Sequence, residues 1–424
     1  MEESIIRRSR ICYIFEAALE YFISILVSGS YLATLTSELG ISDGATGVLS
    51  AFISLGCLFQ LLSVFLKRPR VKRTVVSLSV LNQLLFMLLF FIPLADCSGT
   101  LRIVLFTAAI FTAYLIYNSV HPLKISWLMS LVEDKKRGIF TSQKEIVSLL
   151  SGMVFSFAAG SVIDRYKAMG QTTYAFILCG IAIFVLTVLH TVTMLLSVEP
   201  VTEGTNDTRH PIRELIGTLR NRSVVKLTIL FVLWHMASGC ATPFYGTYLI
   251  KELGFSLKLV SVLTIVYSLV RAGVSTFWGR YADRHSFASM VRLCLIIAGM
   301  GFFVNIFTVP SNGRLFYTLY YVLYAVAMGG INSALTNLVF DHVAPEIRSN
   351  ALAISQAISG VAGFLTTLVV SIPVTYIQEN GNMLFGADVY AQQVVSALAF
   401  VFVMAAVGYV TLVILPDTAQ AAGD

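Results

Sequence analysis

Twelve long apolar runs set the terms for this chain. They cover roughly residues 11–34, 45–66, 74–94, 103–131, 139–163, 173–197, 225–250, 257–278, 290–309, 315–340, 350–373 and 390–415. A helix of about 20 apolar residues crosses the hydrocarbon core of a bilayer. Lipid offers no partner to a bare backbone N–H or C=O, so each run is predicted to be a helix. The rest of the composition agrees. Of 424 residues only 12% are charged, and mean hydropathy is +0.81. A water-soluble domain carries about 25% charged residues. The net charge of +6 comes from short basic clusters between apolar runs, which gives no nucleic-acid surface. Arg7, Arg8 and Arg10 precede the first run in the manner of a signal peptide. That run is about 24 residues long, beyond a signal core, and no small-residue cleavage site follows it, so it is expected to remain as the first span.

The longest polar stretch, EPVTEGTNDTRHPIRELIGTLRNRSVVK, falls between spans six and seven. It predicts an N-terminal six-helix bundle over 1–198, a connector over 199–223 and a C-terminal six-helix bundle over 224–424. Within the connector, Ile212, Leu215, Ile216 and Leu219 share one face of a short basic helix suited to a membrane surface. With the N-terminus inside, twenty of the 29 lysines and arginines fall in inner segments. Six fall outside: Arg102, Arg165, Lys167, Lys251, Lys258 and Arg314. The positive-inside rule then places both termini in the cytoplasm and the protein in the cytoplasmic membrane. The glycosylation-type triplets at Asn206 and Asn221 lie on the wrong side to be used. Six cysteines without a C-x-x-C pair read as small buried apolar residues rather than a disulfide or zinc framework. The fourth and tenth spans end alike, in LVEDKKRGIFTSQ and HVAPEIRSNALAISQ. Each gives an acid, an arginine (Arg137, Arg348) and a Ser-Gln pair (Gln143, Gln356) opening the next span. Parallel six-span repeats are a transporter architecture.

After span eight comes FWGRYADRHSFASMVRL, in which Gly279, Asp283 and Arg284 spell G-x-x-x-D-R. Together with twelve spans in six plus six and an inner central loop, this resembles the major facilitator superfamily. That family carries G-x-x-x-D-R-x-G-R/K-R/K between helices two and three, often with a partial copy between eight and nine. Here the first slot reads SVFLKRPRVKR, with Ser63 and Lys67 replacing glycine and aspartate. The basic tail is kept in Arg68, Arg70, Lys72 and Arg73. Such a loop works as a latch. A small residue lets two helices approach, the aspartate faces a neighbouring helix N-terminus, and the arginine reaches a carboxylate. Gly279, Asp283 and Arg284 are therefore the expected gating loop. A second G-x-x-x-D-R, at Gly160, Asp164 and Arg165, is expected to be a helix end with a local ion pair.

The resemblance implies two six-helix bundles related by a pseudo-two-fold around a central cavity lined by helices 1, 4, 7 and 10. Those spans carry the polar and aromatic residues. Span one has Glu16 and Glu20, about 40° apart on one face. Glu20 falls roughly 13 Å from an inner boundary near residue 11. Span four aligns Tyr114, Tyr117, Asn118, His121 and Lys124. Span seven has Trp234, His235, Ser238, Thr242 and Tyr245, and span ten has Tyr317, Tyr320, Tyr321, Tyr324 and Asn332. Spans three and nine read as nearly featureless, apart from Asn305. A carboxylate deprived of water exchanges protons near neutral pH, and histidine titrates there too. Glu16, Glu20, His121 and His235 are thus the proton-coupling candidates. The competing reading is structural, with the glutamates paired to Lys124, Lys144 or Arg271. Tyr117, Asn118, Lys124, Trp234, Tyr245, Arg271, Tyr324, Asn332 and Gln356 are the candidates for contact with substrate. Gly239, Pro243 and Gly246 weaken span seven, as a hinge or a plain kink.

These features point to a secondary transporter of a small organic solute, working by alternating access and coupled to protons. Proton-driven efflux of drug-like compounds is the alternative, although span five lacks the Gly-Pro of many such antiporters. A transporter-like sensor is a remote one. No H-E-x-x-H, G-x-S-x-G or phosphate loop is present, so no enzyme, cofactor or metal is expected. A monomer in lipid is expected, with no nucleic-acid partner.

Overall fold

The computed structural model describes residues 2–60, 71–129, 131–132, 137–199, 217–344, 347–384 and 386–416. Thirteen α-helices follow in order among the described residues: α1 Glu2–Leu26, α2 Gly29–Glu38, α3 Asp43–Phe59, α4 Val71–Phe91, α5 Gly99–Met129, α6 Arg137–Ala168 and α7 Thr172–Leu196, then α8 Arg222–Thr247, α9 Leu257–Arg284, α10 Phe287–Ile306, α11 Gly313–His342, α12 Arg348–Glu379 and α13 Ala391–Tyr409. A two-stranded hairpin, β1 Met383–Leu384 with β2 Ala387–Asp388, lies between α12 and α13. Among the described residues, ten helical segments are long and apolar enough to cross a membrane. The pair α1 and α2, bent by 42°, supplies an eleventh. Apolar α3 has 17 residues, and its expected continuation to residue 66 lies outside the described residues. Val154, Leu315, Ile372 and Leu412 are each at least 70% exposed. Large apolar side chains so displayed belong in lipid, not water. The molecule is an all-α membrane protein.

Span one departs from the expected 11–34. Helix α1 starts at Glu2, and the span breaks at Val27–Ser28, where Gly29 takes φ +53°. That left-handed backbone suits a residue without a Cβ. The expected connector helix falls largely outside the described residues, as do Ser63, Lys67, Arg68 and Arg70 of the first loop slot.

The chain forms two compact units. Unit 1 holds Met1–Ser42, Phe59–Asp207 and Phe255–Val262; unit 2 holds Asp43–Leu58, Thr208–Gly254 and Leu263–Asp424. Helix α3 thus sits in unit 2, and the first turn of α9 in unit 1. In unit 1, α1 packs on α6 and α7, and α4 on α5 and α7. In unit 2, α8 packs on α12 and α13, and α10 on α11 and α13. Asp43 at the start of α3 accepts from Gln378 Nε2 at 2.6 Å and pairs with Lys251.

Two local solutions show how helices are fixed in a medium without water. Pro243 lies inside α8 and has no N–H for the carbonyl four residues earlier, Gly239. Thr367 Oγ1 on α12 donates to that carbonyl at 2.7 Å, fully buried. The approach that permits this is a glycine contact: a Cβ on Gly239 would stand 2.5 Å from Gly363 O. Span seven therefore runs on as helix to Thr247, followed by a π-helical turn at Tyr248–Glu252.

The second solution corrects the expected ion pair at Asp164. Its Oδ1 accepts from Leu257 N at 3.0 Å and its Oδ2 from Lys258 N at 2.8 Å, so it caps α9. A Cβ on Gly160 would stand 3.0 Å from Leu257 C and O. Glycine for approach and aspartate for a neighbour's N-terminal N–H groups are the latch chemistry expected of G-x-x-x-D-R. It is realised at Gly160 and Asp164. At Gly279, a Cβ would meet nothing within 4 Å.

Candidate functional site

The buried ionisable groups of unit 1 gather at one point. Helical spacing puts Glu16 and Glu20 on one face of α1. Lys124 reaches them from α5, and His190 from α7. Lys124 Nζ donates to Glu16 Oε1 at 2.9 Å and also to Glu20 Oε2. His190 Nε2 lies 3.0 Å from Glu16 Oε1 and 4.0 Å from Glu20 Oε2. An oxygen of one carboxyl group lies within 4.8 Å of an oxygen of the other. An ionised carboxylate only accepts, so His190 presents Nε2–H to Glu16. Among the described residues its Nδ1 is buried without a hydrogen-bond partner.

The charge count follows. Two carboxyl groups share one ammonium, so when both are ionised Lys124 balances only one of the two negative charges. Position selects its acceptor. Glu16 is 2% exposed and already takes two donors, whereas Glu20 is 19% exposed. Glu20 also borders a cavity of about 10 Å³, lined in part by Asn82, Gln83, Tyr117, His121 and Lys124. That volume holds about one water molecule. Among the described residues Gln83 Oε1 and His121 Nδ1 are buried without hydrogen-bond partners, while Asn82 Nδ2 is spent on Ala113 O at 2.7 Å. Glu16, Glu20 and His190 also offer three donor atoms within 4.8 Å of one another, as a small cation would need. Lys124 already supplies the positive charge on both carboxylates.

Of the predicted residues, Glu16, Glu20, Tyr117, His121 and Lys124 thus come together, with the glutamates on Lys124 rather than Lys144 or Arg271. Lys144 instead lies over the Tyr13 ring at 5.2 Å. Asn118 belongs to the same helix, but its amide is used on Tyr114 O at 2.8 Å. Sequence reasoning missed His190, Asn82 and Gln83. Each is a polar residue in an otherwise apolar run, and that oddity was the available signal. Span three is not featureless.

Unit 2 is aromatic where unit 1 is charged. Trp234 of α8 stacks on Tyr324 of α11, with centroids 6.4 Å apart at 23°. Tyr267 of α9 lies 6.3 Å from Tyr324. Tyr245 is buried, bonded to Ser396 Oγ at 2.8 Å and edge-on to Tyr317 and Tyr320, so it holds the unit's interior. His235 uses Nδ1 on Phe231 O of its own helix at 2.9 Å. Gln356 is half-buried and Asn332 exposed. Arg284 is exposed, and the side chain of Asp283 lies outside the described residues.

Helices that span lipid around a buried charge cluster and a separate aromatic face define a polytopic transport protein. The family model of the Major Facilitator Superfamily matches residues 13–367. The chain belongs to that superfamily and is a membrane transporter rather than an enzyme. Its fold is similar to that of a point mutant of the nucleoside transporter NupG, with TM-score 0.75, 12% identity and coverage of 95% of this chain and 99% of that one. It is also similar to a D-xylose–proton symporter, with TM-score 0.68, 14% identity and 94% and 97% coverage. The POT family transporter PepTSo gives TM-score 0.68, 14% identity and 98% and 99% coverage. No curated protein matches the chain by sequence.

Proposed function

We propose that this protein is a proton-coupled secondary transporter that moves a small organic solute across the cytoplasmic membrane by alternating access. One observation carries the reading: the buried carboxyl groups of Glu16 and Glu20 share the single ammonium of Lys124, and the more exposed of the two borders a water-sized cavity. Glu20 is the proton carrier in this reading. Lys124 and His190 hold Glu16 ionised, and His121 and Gln83 bring free acceptors to the path. Intramembrane ionisable groups facing protein or water mark proton relays in general. His235 is a second, less supported proton site.

The remaining parts of the proposal follow the superfamily pattern. Position in the chain divides it at the 199–223 connector, both termini are cytoplasmic, and Gly279, Asp283 and Arg284 gate one access state. Trp234, Tyr324 and Arg271 contact the solute, and the protein acts as a monomer. Nucleosides and sugars, the cargoes named for two of the similar structures, are natural first solutes to try.

The test uses proteoliposomes loaded with a pH-sensitive dye. A solute that is transported changes lumenal pH on addition, and Glu20→Gln removes that change while solute-for-solute exchange continues. Wild-type pH dependence retained in Glu20→Gln would remove Glu20 from coupling. A substrate that moves with no proton flux in the wild type would end the coupling proposal altogether.

A further inference from the structure

Lys124 and Arg271 are both membrane-embedded cations, but only one is neutralised. Lys124 has two carboxylates. Arg271 stands near the middle of α9, about 21 Å along the axis from Leu257 and about 16 Å from Ala282. A guanidinium at that depth cannot extend to the headgroups. Among the described residues its side chain makes no ion pair and no hydrogen bond; only its backbone carbonyl is used, by Ser275 Oγ at 2.7 Å. Nor does the sequence supply a partner at this level of unit 2. Helices α8, α10 and α13 contain no acidic residue, and those of α3, α9, α11 and α12 (Asp43, Asp283, Asp341 and Glu379) lie at the first or within the last two positions of their helices. An unpaired charge there costs several kcal/mol. A residue kept at such cost is a functional site by default.

The surroundings say what would pair with it. Arg271 stands on the face of α9 from which Tyr267 meets the Tyr324 ring. Tyr267, one turn earlier on α9, and Trp234 flank the same Tyr324 ring. Tyr267 and Tyr324 are only half-buried, so ring surface remains open beside the charge. Gly329 lets α11 come against α9 at this height: a Cβ there would stand 3.2 Å from Arg271 O. A guanidinium fork takes a carboxylate through two parallel hydrogen bonds, and flat aromatic walls take a ring.

We infer that the Arg271–Tyr267–Tyr324–Trp234 face of unit 2 binds an organic monoanion: a carboxylate carried on a flat ring. One guanidinium balances one negative charge, so a dianion such as a phosphate monoester would leave a surplus. The inference rests on the transport reading only in taking this face as the solute site.

Equilibrium binding to purified full-length protein tests it without flux, by tryptophan fluorescence or calorimetry at fixed ionic strength. The probes are benzoate, phenylacetate and indole-3-carboxylate, against benzamide, benzylammonium and acetate. At least one ring carboxylate should bind about 10-fold or more tightly than benzamide, the factor expected for one charge-assisted pair. Acetate, with no ring, should bind more weakly. Arg271→Gln should bring the carboxylate-to-amide ratio to about 1, and Arg271→Lys, which keeps the charge without the fork, should retain part of it. Tyr324→Leu should weaken ring carboxylates but not acetate. Without ligand, Arg271→Gln should melt no lower than wild type, because it removes a lone buried charge; an arginine with a structural role would lower the melting temperature. The inference is overturned if no ring carboxylate binds at millimolar concentration, if benzamide or benzylammonium matches them, or if Arg271→Gln keeps the anion preference. Binding without transport would leave this inference standing and sink the transporter reading. Transport of a solute with no anionic form would do the reverse.

Discussion

Replacing Lys124 by Met removes the ammonium of the unit 1 cluster and keeps most of the apolar stem. Lys124 is 5% exposed and holds Glu16 and Glu20 together. Breaking a buried ion pair from one side costs about 3–5 kcal/mol. The folded protein has an escape, which is to bind one proton and restore the original cluster charge. Protonating an ordinary glutamate at pH 7 costs about 3.7 kcal/mol, from a reference value near 4.3 and about 1.4 kcal/mol per pH unit. The penalty is therefore capped at about 4 kcal/mol at pH 7. Above that reference value the folded variant binds one more proton than its unfolded chain, so its stability rises as pH falls. At pH 5 the cap is only about 1 kcal/mol. For a unit of this size, about 2–4 °C of melting temperature accompanies each kcal/mol. Thermal melts in detergent should show a deficit of about 8–16 °C at pH 7 that shrinks to a few degrees at pH 5. Glu20→Gln added to Lys124→Met should recover most of the loss at pH 7. A deficit independent of pH, or a double variant no better than the single, would refute the shared-charge account.

Two further substitutions probe how the helices are held. Asp164→Ala removes the cap of α9 and should cost about 0.5–2 kcal/mol; hydrogen exchange should quicken at the Leu257 and Lys258 amides, and unchanged exchange there would show that the cap carries no load. Thr367→Val leaves Gly239 O without its donor in a dry interior, at about 1–3 kcal/mol. Thermal melts of the valine and serine variants check this, since serine keeps the hydroxyl and should recover much of the loss.

Much of the membrane architecture is written locally. Each span declares itself by length and apolarity, because lipid makes that demand on every helix whatever its neighbours are. The common face of Glu16 and Glu20, and the polar stripe from Tyr117 to Lys124, follow from 3.6 residues per turn. Asn221 capping α8, through bonds to Ser223 N and Val224 N, is also local. The break between α1 and α2 was missed, although Gly29 and the serines beside it hinted at it.

Partnership was not local. Three cations were possible partners for the glutamates, and only the tertiary structure, which brings the Lys124 side chain of α5 to that face of α1, selects among them. His190 reaches Glu16 across 174 positions of chain, and Thr367 repairs the Pro243 break across 128 from Gly239. The G-x-x-x-D-R letters show the same limit: they gave the chemistry of glycine and aspartate, but that Asp164 meets a helix N-terminus depended on where α9 begins. A solvent acts on each residue separately, so its demands can be read one span at a time. A buried charge or orphaned carbonyl is satisfied by a particular atom on another helix, and only folding brings that atom near.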